Sequence, residues 1–200
     1  ISGAIDVMTE YTKILTQHKE QGGTPVTSGE TTQVIRALAE LIYSALETVN
    51  KDEATVLQCK GIPRSARQDQ MREMKLIDEL FWVLLFPPDK ERGGFTMEEL
   101  AREKRHFHML NVHKHVYKCI SASYMDNRVN ENYVASHTFL QWRDENERAG
   151  ANDDAKYLEG IIGQLGYGAG AAGCLTSLLT NNRGLLENRV GAETVEIFLG

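Results

Sequence analysis

The sequence predicts an all-α fold, arranged as a superhelical stack of short antiparallel helices. Three observations predict it. Apolar residues recur at helical spacing along most of the chain, prolines number only four, and no alternating strand pattern of useful length appears. Helices of this kind bury their apolar stripes against their neighbours, although no sequence repeat marks the units here. A chain of 200 residues is expected to form one domain with a single core or two helical layers.

The first stripe is Ile5, Met8, Tyr11 and Leu15, closed by Gly22-Gly23 and Pro25. Thr27-Ser28-Gly29-Glu30 has the form of a capping box, in which the Thr hydroxyl and the Glu side chain satisfy free backbone N–H groups. The helix it opens carries Val34, Ile35, Leu38, Leu41, Ile42, Ala45 and Val49 on one face. A third helix is expected to begin near Ser65 and to run unbroken to the tandem prolines Pro87-Pro88, with Met71, Met74, Ile77, Leu80, Phe81, Leu84 and Leu85 inward. Its last turns are apolar nearly all round, which suits a central core helix.

Beyond the Gly93-Gly94 turn, Thr96 and Glu99 form a second capping box, flanked by Phe95 and Leu100 in staple positions. One or two helices then reach about Ser123, with Met109, Val112, Val116 and Ile120 inward. Helical pattern resumes from Asn130 to Trp142, and the charged stretch Arg143 to Asp154 reads as an exposed loop. Leu158, Ile161, Ile162 and Leu165 begin another helix, and Leu175, Leu178 and Leu179, then Leu185 and Leu186, then Val195 and Phe198 complete the count.

Composition narrows the function classes. A net charge of −6 argues against nucleic acid as the main partner, because phosphate-backbone binding depends on neutralisation by Lys and Arg. The longest apolar run, Leu80 to Phe86, falls well short of the ~20 residues of a membrane span, and no signal peptide is expected from the pattern of these residues. Cys59, Cys119 and Cys174 are odd in number and far apart, so they read as buried reduced thiols in a reducing compartment. The chain opens on Ile1 and stops within an apolar pattern at Gly200, and it reads as a single domain cut from a larger protein.

Candidate chemistry is sparse. His106, His108, His113 and His115 suggest a metal site, but their separations of two, five and two residues miss the i, i+3 or i, i+4 spacing of two helical ligands. With Lys104, Arg105, Lys114 and Lys118 alongside, a solvated basic helix face is the expectation, one that helps to attract a polyanion. Gly168 to Gly173 matches Gly-x-Gly-x-x-Gly by letter, yet no strand precedes it, so a turn that permits close helix packing is expected. No nucleophile motif supports an enzyme, and no cofactor or metal is expected. The basic stretch Lys60, Arg64, Arg67, Arg72 and Lys75 is more suggestive. Its i, i+3 pairs near a helix start suit a phosphate, and the alternative is a solvated face paired with Asp69 and Glu73.

The same helix carries a family resemblance. Arg67-Gln68-Asp69-Gln70-Met71-Arg72-Glu73, running into Leu80-Phe81, resembles the Arg-Gln-x-x-Met-Arg-Glu helix of the RIH domain in the ligand-binding region of inositol trisphosphate receptors. The likeness continues at Asn130-Glu131-Asn132-Tyr133-Val134-Ala135, Phe139-Leu140-Gln141 and Gln164-Leu165-Gly166-Tyr167. Its most specific piece is Leu178-Leu179-Thr180-Asn181-Asn182-Arg183-Gly184-Leu185-Leu186-Glu187. The motifs occur in the family's order over most of the chain.

The resemblance implies an armadillo-like helical fold in a regulatory domain of an intracellular, homotetrameric calcium-release channel. It places that domain on the cytosolic face of the endoplasmic reticulum or another calcium store, beside a β-trefoil domain and further helical domains. An inositol phosphate is the small partner it implies, with no direct membrane contact. The family's phosphate cations correspond to Ser65, Asp69 and Arg72, and to the cluster Asn127-Arg128-Val129. Only Arg72 and Arg128 keep the charge, so the phosphate site is expected to be largely degraded in a divergent member. The candidate ligand-binding residues are therefore Arg67, Arg72, Arg128 and Lys75. The competing expectation is a helical scaffold that transmits movement between domains and binds no small ligand.

Overall fold

The computed structural model describes residues 1–21, 26–48, 51–85, 97–135 and 170–182. Helix α1 (Ser2–Gln21) places Met8, Tyr11 and Leu15 inward, as their spacing requires. Helix α2 (Ser28–Ala45) opens on the expected capping box. The Glu30 amide donates to Thr27 Oγ1 at 3.3 Å, and the Thr27 amide returns a bond to Glu30 Oε2 at 2.6 Å. Val34, Leu38, Leu41, Ile42 and Ala45 then form the buried stripe. Val49 lies outside the described residues.

The all-α expectation holds, with one small addition. Leu46–Glu47 (β1) and Ile62–Pro63 (β2) pair antiparallel, Leu46 against Pro63 and Glu47 against Ile62. A Cβ at Gly61 would sit 2.6 Å from the Glu47 carbonyl oxygen, so this close approach needs glycine. A two-residue ladder carries no readable alternation. It fastens the chain leaving α2 to the chain entering α3, and the Arg64 amide donates to the Ala45 carbonyl at 2.8 Å.

The expected third helix is two helices. Helix α3 (Ser65–Glu73) ends at Met74, Lys75 adopts a left-handed φ of 61°, and α4 (Leu76–Leu85) starts as a separate helix. Met74, expected inward, is exposed because it lies in that turn. Leu76, Ile77, Leu80, Phe81, Val83 and Leu84 of α4 are buried, so the core role expected for the second part of the helix is correct. Pro87-Pro88, Phe95 and Thr96 lie outside the described residues.

Helix α5 (Met97–Arg102) buries Leu100 and leads through a 3₁₀ turn at Lys104–His106 into α6 (Phe107–Tyr124). Helix α6 is the axis of the molecule: α2, α3, α4 and α5 all pack on it. It buries Met109, Val112, Val116 and Ile120 as expected, and also residues on its other faces. After a corner at Met125–Asn127, residues 128–135 form α7, two residues earlier than the sequence pattern suggests. Helix α8 (Ala171–Asn181) packs on α6 and starts behind Gly170, whose φ of 87° suits the expected turn. The expected helices around Leu158 to Leu165, Leu185-Leu186 and Val195 to Phe198, and the loop at Arg143 to Asp154, fall outside the described residues. Among the described residues, no helix is long and apolar enough to cross a membrane.

Candidate functional site

The stretch that carries the candidate cations, α3, meets the α6–α7 corner through polar groups. Gln68 is fully buried, and its Nε2 donates to the carbonyls of Ala122 at 2.8 Å and Met125 at 2.9 Å. Carbonyls at a helix end lack intrahelical donors, so a buried amide is a fitting partner. Asn130, also fully buried, donates from Nδ2 to the Gln68 carbonyl at 2.7 Å and to the Ser123 carbonyl at 2.7 Å. Asn127 caps α7 by accepting the Asn130 amide at 3.1 Å on its side-chain oxygen. Asp126 makes the corner with a left-handed φ of 54°, a conformation that Asp tolerates better than most residues.

Arg72 reaches this clasp. Its Nη1 donates to Asp69 Oδ1 at 3.0 Å and to the Asn130 side-chain oxygen. Asp69 Oδ1 also accepts the Asn127 amide Nδ2 at 3.2 Å, so one carboxylate joins α3 to the corner. Arg128 turns toward α8. Its Nη1 meets Glu131 Oε2 at 2.7 Å, and its Nη2 donates to the Asn181 carbonyl at 3.2 Å. Glu131 is buried, and its second oxygen accepts Asn181 Nδ2 at 2.6 Å. Arg128, Glu131 and Asn181 help to line a cavity of about 480 Å³ between α6, α7 and α8.

The other candidate cations stand elsewhere. Arg67 is exposed and donates to Gln70 Oε1 at 3.0 Å. Lys75 lies 3.4 Å from the Tyr133 hydroxyl, which in turn donates to Asp78 Oδ2 at 2.8 Å. The Tyr133 contact and the Asp78 carboxylate raise the Lys75 ammonium above its ordinary pKa. Arg64 pairs with Glu47 at 2.9 Å, and its guanidinium holds the Glu47 carboxyl below the usual range. Arg67, Arg72 and Lys75 are not among the residues lining the cavity beside Arg128.

The histidine segment is not the solvated basic face that was expected. His106, His113 and His115 are buried, since α6 is covered on several sides. His113 Nδ1 bonds the Met109 carbonyl at 3.0 Å, His115 Nδ1 the Asn111 carbonyl at 2.8 Å, and His108 Nε2 the Val26 carbonyl at 3.0 Å. Burial pushes the pKa of all three buried rings down. The three thiols are free and buried as expected, and burial pushes Cys174 up to about 11.

Gln68, Asn130, Glu131 and Asn181 escaped the sequence reading as site residues. Asp126-Asn127 ahead of an apolar stretch was a helix-start signal that could have located the corner. A family model described as RIH domain matches residues 32–200, from the first turns of α2 to the end of the chain.

Proposed function

This chain belongs to the RIH-domain family of inositol trisphosphate and ryanodine receptors, and we propose that it is a regulatory helical domain of a calcium-release channel whose phosphate site is largely degraded. The family is a receptor and channel regulatory domain, not an enzyme family. The observation that carries the degraded site is the internal occupation of both retained cations. Arg72 is engaged by Asp69 and Asn130, and Arg128 by Glu131 and the Asn181 carbonyl. A phosphate arriving here competes with tethered carboxylates that already make charge-assisted bonds, although the exposure of Arg128 and Asp69 to solvent weakens each pair. Arg67 and Lys75 are the remaining candidate ligands, reachable only from separate positions on the same helix and turn.

In this reading the domain sits in the cytosolic part of a tetrameric channel of a calcium-store membrane, beside a β-trefoil domain, and passes movement between its neighbours. The limiting form of the same reading is a scaffold that binds no small ligand, and the internally satisfied cations favour it. Calorimetric titration of inositol trisphosphate into the intact parent protein tests the site. The expected result is heat that fails to saturate below millimolar ligand. Saturation at micromolar ligand, abolished by Arg72→Gln, would overturn the degraded site. A parent polypeptide without membrane spans would overturn the channel role.

A further inference from the structure

Helix α3 is held differently from α2, α4 and α6, on which it packs. Of its nine residues only Gln68 and Met71 are buried, and Met71 is its single buried apolar anchor. Beside its packing on α2 and α4, its attachment among the described residues includes the clasp: Gln68 to Ala122 and Met125, Asn130 to Gln68, Arg72 to Asn130, and Asp69 to Asn127. The two ends of α3 differ: its start is tied through a short ladder and its end is a turn. At its start the chain leaves the two-residue β1–β2 ladder, and at its end Met74 and Lys75 form an exposed turn with Lys75 in the left-handed region. One acceptor of the clasp, Gln68 Oε1, is buried without a hydrogen-bond partner, so the closed arrangement carries an unmet polar group.

We propose that α3 is a latched arm: the amide clasp holds it against the α6–α7 corner, and when the clasp opens it swings on Met74–Lys75 while α4 stays in the core. Opening needs the loss of the clasp bonds, of the Met71 contact and of part of the packing on α2, with give in the two-residue ladder at its start, and it exposes backbone and amide groups that water can satisfy. It leaves the apolar contacts of α1, α2, α4 and α6 in place. The movement also carries Arg72, on the arm, away from the corner that holds Arg128, so the arm sets the separation of the two retained cations. That last consequence rests on the proposed function, whereas the arm itself does not.

Hydrogen exchange followed by mass spectrometry on the whole chain tests the arm. In the unaltered chain, amides of residues 67–73 are expected to exchange faster than those of 78–84. In Asn130→Ala, exchange is expected to rise about tenfold in 67–73 and in 125–131, with 78–84 rising no more than the loss of global stability requires and still exchanging more slowly than 67–73. Exchange of 67–73 as slow as that of 78–84 in the unaltered chain, or no change in 67–73 in Asn130→Ala, would overturn the proposal. Should Asn130→Ala fail to fold, Asp69→Ala, at the part-exposed rim of the clasp, decides by the same readout with a smaller rise. A null titration with inositol trisphosphate leaves this result standing, so failure of the arm and failure of the ligand reading are separable.

Discussion

Helices α3 and α4 are separated by two residues, yet opposite forces hold them. Helix α4 buries Leu76, Ile77 and Leu80 completely, and Phe81, Val83 and Leu84 nearly so, against α1 and α6. Helix α3 buries one amide and one methionine, and reaches its neighbours through directional bonds. Apolar burial is tolerant of direction and scales with area removed from water, whereas a buried amide clasp is either made or missing. The difference teaches where movement is cheap. A polar joint can open onto water, which replaces its bonds, while an apolar one exposes surface that water cannot satisfy.

The comparison can be broken at its strong end first. Leu80→Ala removes a fully buried side chain from α4 and leaves a cavity in the packed centre. The expected loss is about 2–5 kcal/mol of global stability, read by urea denaturation, with the whole chain losing exchange protection together. A loss confined to α4 would mean that this helix is no more tied to the core than α3. The second break is at the clasp. Asn130→Ala takes a donor from the Gln68 and Ser123 carbonyls and an acceptor from Arg72, at an expected cost of about 1–3 kcal/mol in the same denaturation experiment. A cost equal to that of Leu80→Ala would erase the distinction between the two helices.

The unequal legibility of these regions has a physical cause. The start of α2 was readable because Thr27 and Glu30 act within one turn, and the stripe from Val34 to Ala45 depends only on helical period. The break between α3 and α4 was not. Met74 keeps the apolar spacing and no Gly or Pro marks the turn, so local rules continue the helix across Lys75. What breaks it is tertiary: Gln68 is bound to Ala122 and Asn130 to Gln68 across 54 and 62 residues of chain, and one sequence holds no sign of that pairing. The candidate site divides likewise. Arg72 and Arg128 were singled out from motif likeness; their pairing with Asp69 and Glu131 is a helical i, i+3 relation that spacing suggests, whereas their bonds to Asn130 and to the Asn181 carbonyl belong to a tertiary geometry that it does not.

Acid separates the two regions by a different route, because their polar groups titrate differently. The clasp centres on the Gln68 and Asn130 amides, which do not titrate, while the core side of α6 holds His113. Burial keeps that ring below its ordinary pKa of 6.5, although its bond to the Met109 carbonyl works the other way. Its Nε2 is buried without a hydrogen-bond partner, so a proton arriving there meets no acceptor. The folded chain therefore carries His113 neutral while the unfolded chain takes up a proton below about pH 6.5, and stability falls as the pH drops through that range. The expected slope from this one ring is up to about 1.4 kcal/mol per pH unit. Urea denaturation between about pH 7 and pH 5 should show it, and His113→Gln should flatten it by that amount. Hydrogen exchange over the same range should show protection lost along α2, α4 and α6 with global unfolding, while the opening of α3 relative to α4 changes little. A slope unchanged by His113→Gln would move the acid sensitivity to other groups and leave α6 no weaker in acid than the clasp.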